Sequence, residues 1–229
     1  MCGRFTLTTG DRTGLAARFA VALPDSGGME RFNVAPTEEI LAVCADEEGV
    51  RSSRLLRWGL VPGFAKDLKG PLMINARSET VTQKKTFAKL VAGVTHRCLI
   101  PADGFYEWLR PEDPKGARMP FRFTVHGGEP FAMAGLWCWS RPGGDGADWL
   151  ASATVLTCAP NPLVARLHDR MPVILPGPEA EAAWLSPSLS TEDVLALCRP
   201  LEADWMASTA ANPRVNKSGI DESPELLVA

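Results

Sequence analysis

Glycine and proline recur along the whole chain at a density that long helices do not tolerate. The 229 residues include 20 glycines and 19 prolines. Proline removes a backbone donor and glycine loses the most conformational freedom on folding, so both interrupt regular helices. Apolar residues make up 45% and charged residues 22% of the chain, as in a globular protein with a sizeable core. The sequence therefore disfavours a helix bundle and predicts many short strands joined by tight turns.

The apolar runs between these turns predict a β-rich α+β fold. We expect one domain over residues 1–229, with antiparallel sheets forming a barrel-like core and helices at its periphery. Residues 59–75 are expected to form a long exposed loop, and residues 31–37 a turn. Helices are predicted at 11–20 (capped by Thr9), 78–91 (capped by Ser78), 179–185 and 191–198, with a helical turn at 163–167. Strands are predicted at 4–7, 40–44, 55–58, 98–101, 105–109, 121–125, 131–139, 153–158 and 205–209, together with a strand-like run at 171–175.

Charge is distributed unevenly along the chain. The net charge is −3, but residues 51–100 carry ten lysines and arginines against two acidic residues, which gives this segment +8. A basic segment in an acidic chain can focus positive potential on one groove, which suits a polyanionic ligand. The alternative is a solvated basic face.

The sequence offers no anchor, leader or metal motif. The longest stretch without Asp, Glu, Lys or Arg covers only residues 149–165 and contains two prolines, so no membrane span is expected. The first twelve residues lack the apolar region of a secretory signal, so we expect a cytoplasmic protein. The six cysteines are at least 20 residues apart, so neither structural zinc nor disulfides are expected. We expect no cofactor and no metal.

The start of the chain carries the first candidate reactive group. Removal of Met1 would leave Cys2 with a free α-amine and a β-thiol, which together form a 1,2-aminothiol. The amine condenses with an aldehyde to a Schiff base, and the thiol then closes a five-membered thiazolidine ring. The same terminus could serve as an N-terminal nucleophile for hydrolysis. Many proteins begin Met-Cys without any such role.

Two further side chains are candidates for proton transfer. Glu107 lies in the apolar run Gly104–Trp108, where desolvation would raise the pKa of its carboxyl towards neutrality. An edge-strand glutamate that reaches water or an arginine is the alternative. His168 has arginines two residues away on both sides, which favours the neutral imidazole that accepts a proton. A purely structural histidine is the alternative there.

Polar residues near the basic segment are candidates for ligand binding. Asn75 can donate and accept hydrogen bonds, and Arg77 offers a planar fork that matches phosphate or carboxylate. The alternative is an Asn-mediated turn before a helix. The stretch 31–37 combines polar and rigid residues, and its local sequence favours a simple loop.

Six ordered motifs together resemble the SOS response-associated peptidase (SRAP) family. The resemblance spans residues 2 to about 175, with a weaker match near Val215, Asn216 and Leu226. It implies a sensor of abasic sites in single-stranded DNA that forms a covalent thiazolidine crosslink through Cys2 after loss of Met1. Autoproteolytic removal of Met1 and reversal of the crosslink are also implied. The motifs are MCGRF at the start, FNVAPT at 32–37, WGLVP at 58–62, INARSET at 74–80, GFYEW at 104–108 and HDRMPVIL at 168–175.

The resemblance also assigns roles to individual residues. Asn75 would position Cys2 and the sugar, Glu107 would transfer protons, and His168 would assist ring opening. The expected partner is abasic single-stranded DNA, including junctions with duplex, and the expected state is a monomer. One departure is Ala65, which follows Phe64 where relatives carry a second bulky aromatic, so a stacking platform is missing. The DNA contacts implied are Arg4, Asn33, Pro36, Trp58, Phe64, Arg77 and Arg170.

Two other functions fit the same residues. One is a non-covalent module for single-stranded DNA in which Cys2 is incidental, and its binding would weaken steeply with salt. The other is a thiol peptidase that acts on proteins through Cys2, His168 and Glu107.

Overall fold

A computed structural model gives the fold, and it describes residues 2–109, 116, 118–221 and 223–229. The helices are α1 (Arg12–Phe19), α2 (Lys85–Ala92), α3 (Pro178–Trp184) and α4 (Thr191–Ala196). The strands are β1 (Phe5–Leu7), β2 (Arg31–Val34), β3 (Glu39–Ala45), β4 (Arg51–Trp58), β5 (Asn75–Arg77), β6 (Arg97–Ala102), β7 (Gly104–Leu109), β8 (Met119–Val125), β9 (Phe131–Ser140), β10 (Leu150–Cys158), β11 (Met171–Pro172), β12 (Ile174–Leu175) and β13 (Met206–Ala210).

Five strands close into a barrel at the centre of the molecule. Their order is β10-β4-β3-β6-β9, and β9 pairs back with β10 along six residue pairs, from Leu150↔Ser140 to Val155↔Gly135. Closure leaves these strands without a free edge between them. Their side chains fill a core with little exposed surface, as expected for strands rich in apolar residues. The barrel confirms the predicted β-rich α+β class with a barrel-like core.

A second sheet, in the order β13-β8-β7-β1-β2, carries the start of the chain. β1 pairs antiparallel with β7 through Phe5↔Phe105, and Phe105 stacks on Phe123 of β8 at 5.1 Å between ring centroids. The alternation along β7 sends Phe105 and Tyr106 to opposite faces. Tyr106 joins a separate apolar cluster with Val215 and Leu226 from the end of the chain. The sheet is therefore covered on both faces, and its middle strand β7 is buried.

The pairing is mostly antiparallel, with two exceptions on β10. β4 runs parallel to β10 through Ala153↔Trp58, and β5 runs parallel to it through Val155↔Asn75. Residues 59–74 form the connection between β4 and β5, as predicted, but Leu60 and Val61 are buried at its start. β4 and β5 pair in succession with β10, at residues 152–153 and 155–157, so the loop leaves and rejoins the same edge of that strand.

Three local predictions are wrong. Asp11, not Thr9, caps α1, because its carboxylate accepts a hydrogen bond from the Gly14 amide. Ser78 does not cap a long helix: residues 78–80 form a 3-10 turn, and α2 begins only at Lys85. Residues 31–34 form β2 rather than a turn.

Each helix buries one side against the sheets. Leu15 and Phe19 are buried on α1, and Trp184 of α3 donates from its indole nitrogen to the Cys98 carbonyl at 3.0 Å. Across the described residues, all helices are too short or too polar to cross a bilayer.

Candidate functional site

Cys2 lies directly before β1, and pairing of the neighbouring backbone holds it in place. The Tyr106 amide donates to the Arg4 carbonyl at 3.0 Å, which extends the β1–β7 pairing towards the start of the chain. Cys2 is fully buried, and its thiol lies 3.6 Å from the Arg4 carbonyl oxygen. Burial, and secondarily the negative charge of Glu107, raises the pKa of the Cys2 thiol far above its ordinary value. The beginning of the chain is thus an ordered part of the interior.

Asn75 reaches Cys2 from the other sheet. β5 places it next to Val155, and the Trp58 indole fixes the preceding residue by donating to the Ile74 carbonyl at 2.9 Å. The Asn75 side-chain amide donates to the Cys2 carbonyl at 2.8 Å. Its buried Oδ1 accepts no hydrogen bond from the described residues. One end of this amide therefore holds Cys2, and the other is available to a hydroxyl or amine donor.

Glu107 lies on β7 opposite Phe121 and is only 2% exposed. Burial, and secondarily the nearby charge of Asp169, raises the pKa of its carboxyl to about 7. This confirms the predicted shift and excludes a solvated edge-strand glutamate. A carboxyl with a pKa near 7 can both donate and accept a proton at neutral pH.

His168 follows a 3-10 turn at residues 164–166 and is half-buried. Its amide donates to the Val164 carbonyl at 3.0 Å, and its Nδ1 accepts from the Arg170 amide at 3.0 Å. The Asp169 carboxylate lies 2.9 Å from the same Nδ1, so Nδ1 can bond to Asp169 only when it carries a proton. The charge of Asp169 also raises the pKa of Glu107, so the segment that carries His168 lies near the Glu107 carboxyl.

The arginines predicted to contact DNA differ in their surroundings. Arg77 is exposed at the end of β5, two residues from Asn75. Arg4 is half-buried, and desolvation lowers its pKa. Arg170 forms a bidentate pair with Glu79 at 2.8 and 2.7 Å and also donates to the Thr157 carbonyl. Arg4 and Arg77 thus keep donors for phosphate, whereas Arg170 is engaged.

Two residues that the resemblance places at the DNA lie in the interior. Asn33 is fully buried, and its amide donates to the carbonyls of Lys217 and Ile220 at 3.1 and 3.0 Å. Trp58 is also fully buried and packs edge-on against Phe5 at 5.2 Å. Neither side chain offers a surface to a ligand, so their observed contacts are structural. Pro36 is half-buried, and Phe64 is 65% exposed.

Some residues around the site were not predicted from the sequence. Asp103, directly before β7, accepts from the Thr6 and Thr8 hydroxyls at 2.5 and 2.7 Å and pairs with Arg122 at 3.0 Å. Glu79 holds Arg170. Both lie beside predicted motifs, which is the one sequence signal for them. The described residues contain no cluster of three or more His, Cys, Asp or Glu side chains that could hold a metal ion.

The fold and site define a class of protein: a β-rich domain with an ordered N-terminal cysteine beside a buried amide and a buried carboxyl. The model of the SOS response associated peptidase (SRAP) family matches residues 1–218. The chain belongs to this family.

Some curated relatives match nearly the whole chain and others match part of it. The chain is 42% identical over 232 residues to the abasic site processing protein YoqW of Bacillus subtilis (strain 168), which covers 99% of both. It is 35% identical over 168 residues to the abasic site processing protein HMCES of Xenopus tropicalis, covering 64% of this chain and 49% of that protein. A crystal structure from Bacteroides thetaiotaomicron shares the fold, with a TM-score of 0.86 over all of both chains at 22% identity.

Proposed function

We propose that this protein captures abasic sites in single-stranded DNA by forming a thiazolidine between Cys2 and the ring-opened sugar aldehyde. The observation that carries the proposal is the placement of Cys2, which Asn75 holds at 2.8 Å beside a glutamic acid whose pKa is about 7. The names of the relatives, abasic site processing proteins, point to the same substrate.

The first chemical step joins the Cys2 α-amine to the aldehyde carbon. It requires loss of Met1, because only then is this nitrogen a free amine. The amine adds to the carbonyl to give a carbinolamine. Glu107 in its acid form donates a proton to the hydroxyl, water leaves, and an iminium remains beside a Glu107 carboxylate.

The second step closes the ring. The Cys2 thiol gives its proton to the Glu107 carboxylate, and the sulfur adds to the iminium carbon. The ring nitrogen ends neutral, Glu107 returns to its acid form, and the net change is the loss of one water. A pKa of about 7 suits both transfers, because acid and base forms of Glu107 coexist at neutral pH. The reverse sequence releases the DNA.

The other site residues orient the sugar and its phosphates. The unoccupied Oδ1 of Asn75 would accept from a sugar hydroxyl or from the Cys2 amine. Exposed Arg77 and half-buried Arg4 would bind the flanking phosphates. His168 would protonate the ring oxygen when the sugar opens, or take that proton back.

A thiol peptidase is a weaker proposal for the same residues. Thiol peptidases depend on a cysteine whose pKa is lowered so that the thiolate attacks. Here burial raises the pKa of the Cys2 thiol. A thiol that adds to an iminium can lose its proton during the attack, so a high pKa is compatible with ring closure.

The test is formation of an adduct that survives denaturation on single-stranded DNA carrying one abasic site. Cys2→Ala and Cys2→Ser keep the α-amine but lose the thiol, so each should abolish this adduct and give only a Schiff base that needs borohydride trapping. Cys198→Ser, at a free half-buried cysteine, is the matched control and should retain the stable adduct. Intact mass should show loss of Met1 in reactive protein. A stable adduct with Cys2→Ala would refute the proposal.

A further inference from the structure

Two tryptophans are exposed at the end of the β9–β10 hairpin. Trp139 is 46% exposed and Trp149 is 63% exposed. Trp139 packs edge-on against Trp137 at 6.1 Å, and the Arg141 guanidinium lies over the Trp149 ring at 5.7 Å. We call Trp139, Arg141 and Trp149 the tryptophan surface. Contiguous exposed apolar groups mark binding sites more often than single exposed side chains do.

The tryptophan surface is joined to the loop that leads into the candidate site. The Val61 amide donates to the Ser152 hydroxyl at 2.8 Å, and the Gly143 amide donates to the Lys66 carbonyl at 2.7 Å. These bonds fix the loop of residues 59–74 across the end of the hairpin. Gly63 lies close to the Trp139 carbonyl, so the loop carries the exposed Phe64 to the vicinity of the tryptophan surface.

Pairing along β10 gives the distance between the tryptophan surface and the candidate site. Trp139 is paired with Ala151, and Asn75 is paired with Val155, four residues further along the same strand. At a strand rise of about 3.3 Å per residue, the two pairing positions are about 13 Å apart. A few nucleotides of extended strand span that distance.

We propose that the tryptophan surface binds the undamaged part of the single-stranded DNA whose abasic site lies at Cys2. This inference rests on the proposed function. Indole faces stack on any base, and a guanidinium beside them can contact the backbone, which is the chemistry of sequence-independent binding to single strands. The tryptophan surface would supply the stacking that Ala65 does not provide.

Charge and shape favour a nucleic-acid strand over a protein partner. Trp139 and Ala151 line an open groove with Arg54, and Phe64 lines a second cleft with Arg57, so both depressions combine apolar walls with arginine. Asp145 lies 3.6 Å from Arg141 and offsets part of its charge. Binding at this surface should therefore depend on stacking more than on salt.

The experiment measures affinity for single strands with a tetrahydrofuran abasic analogue, flanked by arms of two or twelve nucleotides. The Cys2→Ala background removes covalent capture. We expect the long-armed strand to bind more tightly, and Trp139→Ala/Trp149→Ala to reduce the ratio of long-arm to short-arm affinity at least about fivefold. Trp139→Phe/Trp149→Phe keeps the aromatic faces and should restore most of the ratio.

Trp205→Ala is the matched control, since Trp205 is 42% exposed and stacks near His126 instead. It should leave the ratio unchanged. An unchanged ratio in the Trp139→Ala/Trp149→Ala variant would overturn the inference. A protein partner at this surface would give that result. The tetrahydrofuran analogue has no aldehyde, so the chemistry is tested separately on a strand with a true abasic site. Absence of a covalent adduct there with Cys2 intact would refute the proposed chemistry, and the arm-length measurement would still report on the tryptophan surface.

Discussion

Asp103 and Glu107 belong to the same segment of chain, four residues apart, and each is only 2% exposed. Asp103 accepts two hydroxyl hydrogen bonds and pairs with Arg122 at 3.0 Å. Glu107 lies beside the Cys2 thiol and within reach of the charge of Asp169, and its pKa rises to about 7. The two carboxyls are therefore equally buried, but Asp103 lies among hydrogen-bond donors and a cation, whereas Glu107 lies near negative charge.

This difference in environment suits Asp103 to stabilising the fold and Glu107 to proton transfer. A buried carboxylate with a cation and hydroxyl donors contributes to the folded state as an ion. A buried carboxyl whose pKa is raised by burial lowers the stability of the folded state as the pH rises above its ordinary pKa. Near neutral pH it still holds a proton that it can exchange. The Asp103 cluster holds β1 through Thr6 and Thr8, and β1 in turn places Cys2 next to Glu107.

The largest expected effect is on stability, from Asp103→Ala. It leaves the Arg122 guanidinium largely buried without its carboxylate and removes the acceptor for Thr6 and Thr8. Loss of one partner of a buried pair costs about 3–5 kcal/mol in the free energy of unfolding. Urea unfolding at pH 7 measures it. Asp103→Asn, which keeps the shape and one acceptor oxygen, should lose less, and equal losses in both variants would contradict the importance of the ion pair.

The next effect is on rate, from Glu107→Gln. The amide cannot exchange the proton that both chemical steps use, so we expect crosslink formation to slow at least about 100-fold. Non-covalent affinity for the same strand should change little. The measurement is single-turnover crosslinking at pH 7, with Glu192→Gln as a control for loss of a carboxylate at an exposed position. A rate within about threefold of wild type would remove Glu107 from the mechanism.

Glu107 should also give the stability a characteristic pH dependence. Below pH 4.5 its carboxyl is protonated in both states. As the pH rises from 4.5 to about 7, the unfolded chain loses this proton while the folded chain keeps it, so the free energy of unfolding falls, by about 3 kcal/mol in total. Glu107→Gln should lack this component. Urea unfolding of both proteins across pH 4–8 measures the difference, and parallel curves would contradict the raised pKa.

Sequence reasoning succeeded where the decisive contacts are local. The raised pKa of Glu107 follows from its apolar neighbours in a strand, and that requires only period-two alternation. The barrel class follows from the spacing of apolar runs and turns. Cys2 and Asn75 entered as candidates by residue chemistry and family resemblance, but the 2.8 Å contact between them joins residues 73 positions apart. No local pattern contains that contact.

The wrong predictions share a non-local cause. Arg31 and Asn33 read as loop residues because they are polar, yet Asp221, some 190 residues later, pairs with Arg31 and accepts from the Asn33 amide, so β2 forms. Ser78 read as a cap, but β5 immediately before it pairs with β10, and the chain turns at residues 78–80 before α2 begins. Local sequence propensity determines the secondary structure of a segment only where no distant part of the chain bonds to the same backbone.

The smallest expected effect sharpens the comparison by removing a single hydrogen bond from Asp103. Thr8→Val keeps the β-branched shape and the backbone bond from the residue 8 amide to Asp103, but it loses the hydroxyl bond at 2.7 Å. A hydrogen bond to a charged group contributes about 1.5–3 kcal/mol when fully buried, and Thr8 is half-buried, so we expect a loss of about 1 kcal/mol. At 25 °C the Thr8→Val protein remains folded, so its small loss of stability should not by itself slow crosslinking. If the Asp103 cluster also sets the position of Cys2, the crosslinking rate should nevertheless fall. A normal rate would confine the cluster to stability and leave the placement of Cys2 to Asn75 and the β1–β7 pairing.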